Sequence, residues 1–98
     1  MAVSYEQARE IARDYCQHDW DLGTFCLDDR VIVENDDFYV FSVGAREFLV
    51  DGDASYATYD GVPVVHKHDG RLEWLPSAAL VQDGTIRSQD NPTPTVRL

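Results

Sequence analysis

The chain has 98 residues, with 18 acidic against 8 basic side chains and a formal charge of −10. That length fits one domain with one modest core, and the acidity disfavours nucleic acid and anionic membranes as partners. An apolar share of 44% with 11% aromatic residues excludes a mainly disordered chain. No apolar run approaches the ~20 residues a membrane span needs. The first residues, Met1 to Glu6, lack the basic and apolar regions of a secretory signal, so the expected compartment is the cytoplasm.

In chain order, Ser4 to His18 reads as an amphipathic helix. Ser4 suits the N-cap, and Gln7 three residues later completes a capping box. Ala8, Ile11, Ala12, Tyr15 and Cys16 recur at helical spacing and form one apolar stripe. Gly23 is the latest stopping point, and Trp20, Leu22 and Phe25 look like lids over the core edge. Arg30 to Glu34 reads as a short strand and Asn35-Asp36-Asp37 as a turn. Phe38 to Val43 is apolar on both faces apart from Ser42, which argues for a central strand ended by Gly44. Ala45 to Val50 fits a helical turn or a strand equally. Asp51-Gly52-Asp53 is a turn, and Tyr56 to Tyr59 is a brief strand before Asp60-Gly61.

Pro63 belongs at a strand start, because it cannot donate to a ladder. Asp69-Gly70 lies between two alternating runs, Val62 to His68 and Arg71 to Leu75, and marks a hairpin. Ser77 to Gln82 has the makings of a weak helical turn. Residues 83–98 hold Gly84, Pro92 and Pro94 among Ser, Thr and Asn, and read as an extended or disordered tail. The expected fold is α+β: one N-terminal helix on a roughly four-stranded antiparallel sheet, with residues 1–82 as the domain and a flexible tail behind it.

Reactive motifs are scarce. His66 and His68 share one face of a strand, but the spacing nominates no further metal ligand, and the solvated face of a hairpin explains them. Cys16 falls on the helix stripe and reads, with Cys26, as a reduced thiol rather than part of a disulfide framework. Neither a nucleophile elbow, nor a phosphate-cradling glycine loop, nor a zinc-protease helix is present, so a non-catalytic protein without cofactor or metal is expected. The acids are more suggestive. Asp28, Asp29, Glu34, Asp36 and Asp37 flank the first two strands, and Asp51, Asp53 and Asp60 punctuate the next segment. Gathered at one edge, they would steer a basic protein partner. An alternative role uses Trp20, Phe25 and Trp74 as an apolar face for a small molecule or client chain.

The order of these features resembles the YrhB-like domain, also called the immunity protein 35 family of bacteria. The resemblance rests on the helix with Ala8 and Ala12 and on the strand Phe38-Tyr39-Val40-Phe41. It continues through Arg46-Glu47-Phe48-Leu49, Asp51-Gly52-Asp53, the segment Asp60-Gly61-Val62-Pro63-Val64-Val65 and the Asp69-Gly70 hairpin. It spans roughly residues 5 to 76. The Tyr56-Ala57-Thr58-Tyr59 stretch and the tail without an aromatic helix depart from the family pattern. The resemblance implies a cytoplasmic immunity protein that neutralises a toxin by binding it. Gly61, Pro63, Asp69 and Gly70 would then be fold-making positions, and the protein a monomer or an edge-strand dimer.

Overall fold

The computed structural model describes residues 2–18, 20–57 and 61–96. Helix α1 spans Tyr5–Gln17. Its capping box forms as expected: the Gln7 amide donates to Ser4 Oγ at 3.2 Å, and the Ser4 amide donates to Gln7 Oε1 at 2.9 Å. Ala8, Ala12 and Cys16 are the buried positions. These small side chains, each one turn apart, let the helix axis settle close to the sheet. Tyr15, expected on the buried stripe, is exposed.

Five strands follow: β1 Phe25–Glu34, β2 Phe38–Ala45, β3 Val62–His66, β4 Leu72–Leu75 and β5 Arg87–Asp90. Short helices α2 (Arg46–Leu49) and α3 (Ser77–Gln82) and a 3-10 turn (Ala54–Tyr56) connect them. The sheet order is β4-β3-β2-β1-β5, and every neighbouring pair is antiparallel. The fold is therefore α+β, with one N-terminal helix on a sheet of five strands rather than four. The fifth strand comes from the stretch expected to be a tail.

Two strand boundaries move. β1 begins at Phe25, five residues earlier than expected, because a register shift between Asp28 and Val33 lets the acidic pair Asp28-Asp29 stay within the strand. β2 runs through Gly44 to Ala45. The ambiguous segment after it resolves as helix α2. The strand expected at Tyr56 to Tyr59 is replaced at Tyr56 by the 3-10 turn, and Thr58, Tyr59 and Asp60 lie outside the described residues.

Side chains alternate along each strand, so the sheet has two distinct faces. On the α1 face, Leu27, Phe41 and Val65 bury against Ala8 and Ala12, with Tyr5, Ile11, Phe25, Tyr39, Val43 and Leu72 packed around them. Tyr5 stacks on Phe41 at 5.6 Å and meets the Tyr39 ring edge-on at 5.5 Å. On the other face lie Val33, Val40, Val62 and Val64. β4 and β5 run in the same direction at opposite edges, roughly 19 Å apart by four strand spacings. The connection through α3 must therefore cross a face, and Ser77 borders the same groove as Val33, Val40 and Val62. The crossover thus runs on the side that α1 leaves free, and α3 buries no residue there. None of the described helices is long and apolar enough to cross a membrane.

The β3–β4 hairpin forms around Asp69-Gly70 as a four-residue loop, Lys67 to Gly70, closed by His66 N–H donating to Arg71 C=O at 2.9 Å. Asp69 Oδ1 accepts the Arg71 amide, and that bond holds the Asp69 carboxyl below its ordinary pKa. Gly70 has φ +76°, and a Cβ there would sit 3.2 Å from Ile11 Cδ1 and 3.3 Å from Val3 Cγ2. Gly52 has the same φ with open space around it. Gly70→Ala should therefore destabilise the fold by more than the ~1–2 kcal/mol of left-handed backbone strain alone, and Gly52→Ala by that strain only. Urea unfolding of the two variants measures the difference.

Candidate functional site

The site is a groove of about 700 Å³ where β2 and β3 part. The cause is Pro63. Lys67 N–H donates to Asp37 C=O at 2.8 Å, so the odd-numbered residues of both strands turn their backbone groups towards each other. The next pairs would be Tyr39 with Val65 and Phe41 with Pro63. Pro63 has no N–H to give, and the ladder ends at Val40–Val64. β2 continues to Ala45 beside β1 alone. Gly61 is needed at the start of β3, where a Cβ would meet the Leu75 carbonyl oxygen at 3.0 Å. Gly61 lets β3 lie close to β4, while Pro63 ends the β3 ladder with β2.

Val31, Val33, Val40 and Val62 line the groove together with Tyr5, Phe41, Val43 and Pro63, with Phe48 and Leu49 of α2 as one wall and Ser77 as another. α2 is seated by Arg46 N–H donating to Thr24 C=O at 2.7 Å. The Glu47 carboxylate accepts from the Thr24 amide at 3.0 Å and from its hydroxyl at 3.3 Å. The amide bond is the main reason that the Glu47 pKa lies below its ordinary value. The polar element of the groove is an ion pair. Arg30 Nε donates to Asp28 Oδ1 at 2.9 Å and Nη2 to Oδ2 at 2.6 Å, while Nη2 also reaches the Leu49 carbonyl at 3.4 Å. These guanidinium bonds lower the Asp28 pKa and raise that of Arg30. Asp28 therefore stays ionised and serves as an acceptor, not as a proton donor. Ser42 adds a hydroxyl to the floor.

The other acids separate. Asp36 and Asp37 are exposed at the β1–β2 turn, beside Lys67 and Arg87; Arg87 Nη1 donates to Asp36 at 3.3 Å. Asp51 and Asp53 are exposed at the opposite end of that hairpin, just beyond α2. The six acids do not meet at one edge. Asp60 lies outside the described residues.

Asp29 is no surface residue at all. It is fully buried, and its carboxylate accepts the Thr95 amide at 2.9 Å, the Thr95 hydroxyl at 2.7 Å and the Val96 amide at 3.2 Å. Arg9 Nη1 stands 3.4 Å away, and the Asp29 carbonyl accepts from Asn91 Nδ2 at 2.7 Å. Burial alone would raise its pKa, but the bonds from Thr95 and Val96, with Arg9, outweigh it and the pKa is lowered. Thr95 in turn accepts from Arg13 Nη2 at 3.0 Å. The stretch expected to be loose is held on both α1 and β1. Nothing in the sequence marks Thr95 and Val96 as partners of Asp29, which lie more than sixty positions away.

Among the described residues, no cluster of three or more His, Cys, Asp or Glu is arranged to hold a metal. His66 meets the Phe38 ring edge-on at 5.8 Å and stands by Arg71 and Glu73, while His68 is exposed. Cys16 and Cys26 are free and buried, and burial pushes both thiols up, Cys16 to about 11. Trp20 and Phe25 pack edge-on at 5.5 Å, whereas Trp74 stands on the edge strand β4, three strands from β1. No family model, curated protein or solved structure matches the chain.

Asp29→Ala should cost about 3 kcal/mol or more, since it strands several buried donors. The sign with pH follows from the lowered pKa. The Asp29 contribution is complete above the ordinary carboxylate pKa and is lost as pH falls through the lowered folded value. The stability gap between wild type and Asp29→Asn should thus narrow as pH falls below the ordinary carboxylate range, as urea unfolding at successively lower pH would record.

Proposed function

We propose that this protein is a non-catalytic binding module that acts in the cytoplasm and neutralises a basic protein partner, as the resemblance to toxin immunity proteins implies. One observation carries the reading. The groove on the second face, with its valine-lined floor and exposed Phe48, is continued by the exposed acids Asp51 and Asp53. An apolar recess with a single-sign rim is the combination that gives both anchoring area and steering for a cationic surface. The opposite end supports the reading less well, because Lys67, Arg71 and Arg87 are interleaved with Asp36, Asp37 and Asp69 there.

Capture from native cells at low and moderate salt, followed by titration of the purified partner, tests this reading. Asp51→Lys with Asp53→Lys should weaken binding at least tenfold, with a smaller loss for Asp36→Lys with Asp37→Lys. Co-expression should restore growth to cells that produce the partner alone. Unchanged affinity in both pairs, or a partner harmless by itself, would overturn it.

A second reading is favoured by the groove's size, which lies in the range of small-molecule sites, with Asp28, Arg30 and Ser42 as the convergent polar groups. A small ligand should shift the methyl resonances of Val31, Val33 and Val40 and leave those of Leu72 and Val3 unmoved. Uniform or absent shifts across a fragment library would dismiss it.

A further inference from the structure

Resting on the small-molecule reading of the groove, we propose that its ligand is uncharged and apolar, and that Pro76 to Ile86 closes over it as a strap. Closure buries Leu80 and Val81. This segment stands out on the surface. In a chain of charge −10, Pro76 to Gln82 reads Pro-Ser-Ala-Ala-Leu-Val-Gln and carries no charge. Yet α3 buries none of its residues, and Val81 is 85% exposed. A helix of six residues is too short to persist on propensity alone, and no side chain caps its N-terminus. Helices of this kind draw their stability from packing an apolar face, and α3 has the apolar residues without the packing.

The strap is fixed at both ends and loosely held between them. Leu75, just before it, pairs with Val62, which lines the groove. Just after it Arg87 pairs with Glu34, and within its last turn Thr85 is bonded to Asp83 and Asn35. Ser77 already borders the groove, and Leu80 follows about one helical turn later. A segment with anchored ends and no buried side chain shifts at little cost, which is the make-up of lids that close on ligands. Closure needs something to pack on. A groove of about 700 Å³ is too large for two side chains to fill, so Leu80 and Val81 gain contacts only when a ligand supplies the remaining atoms.

The lining sets the class of ligand. Valines dominate it, and Ser42 and Ser77 are neutral. Asp28 and Arg30 spend their charges on each other through bonds of 2.9 and 2.6 Å, which leaves no net charge to hold an ion. A cation would compete with Arg30 for Asp28, and an anion would meet the acidity of the whole chain. A neutral, mainly apolar molecule matches this lining.

Two dyes that differ by one sulfonate test both halves of the proposal: N-phenyl-1-naphthylamine and 8-anilinonaphthalene-1-sulfonate. With the full chain, the neutral dye should bind, shift the methyl resonances of Val33 and Val40, and slow amide exchange of Leu80 to Asp83 at least tenfold. The sulfonate should bind at least tenfold more weakly. Leu80→Asp combined with Val81→Asp should weaken the neutral dye at least tenfold and leave the urea midpoint in place, since α3 buries no residue. Val81→Asp alone keeps the test valid if the double variant misfolds. Dye binding indifferent to these aspartates, with unchanged amide exchange, overturns the strap and leaves the groove as a site. Equal affinity for the sulfonate overturns the ligand class. No binding of the neutral dye, or shifts confined to Val3 and Ile11 beside α1, overturns the small-molecule reading and the strap with it.

Discussion

A buried carboxylate with no solvent of its own must find donors, and Asp29 finds them at the far end of the chain. Its bonds to Thr95 and Val96, and the Asn91 contact to its carbonyl, fasten residues 91–96 across α1 and β1. This matters because β5 buries no side chain of its own. Hydrophobic burial does not place that strand; backbone pairing to β1 and polar ties at its two ends do. At the near end, buried Asn35 accepts the Asp37 and Phe38 amides and donates to Thr85, whose hydroxyl is held by Asp83. Arg87 adds contacts to Glu34 and Asp36. The crossover through α3 is thus anchored where it lands.

The two faces are held by different physics. Under α1 the core is aromatic and aliphatic, closed by small helix residues that bring the backbone near. On the other face a short helix and a connection do the covering, and the cover is incomplete. The gap is set by Pro63, whose missing N–H ends the β2–β3 ladder at Val40. One imino acid therefore converts a continuous sheet into a sheet with a groove. The Asp28–Arg30 pair beside it keeps its charges matched, so the acidic excess at that end lies beyond α2 at Asp51 and Asp53.

Local signals explain what was readable in the residues. Ser4 with Gln7 announced the helix start, since both capping partners lie within one turn. Phe38 to Phe41 announced a central strand, and Asp69-Gly70 a hairpin. β5 escaped because Arg-Ser-Gln-Asp has no apolar alternation to read. Asp28-Asp29 looked like acids flanking a strand that begins at Arg30; within β1, alternation instead sends one to the groove and the other into the interior. The groove itself required knowing which side of β3 Pro63 faces, and that is a matter of register between strands rather than of sequence pattern. The partner contacts implied by the acids were dispersed by the same geometry, which sets Asp36 and Asp37 at one end and Asp51 and Asp53 at the other.

The most direct test of this account is amide hydrogen exchange along residues 87–96. If Asp29 and the β1 pairing hold this segment, the Thr95 and Val96 amides and the strand amides of Val31 to Glu34 exchange slowly at neutral pH, and the Thr95 and Val96 protection collapses in Asp29→Asn. Exchange of Thr95 and Val96 at the rate of a free peptide in the unaltered protein would contradict it.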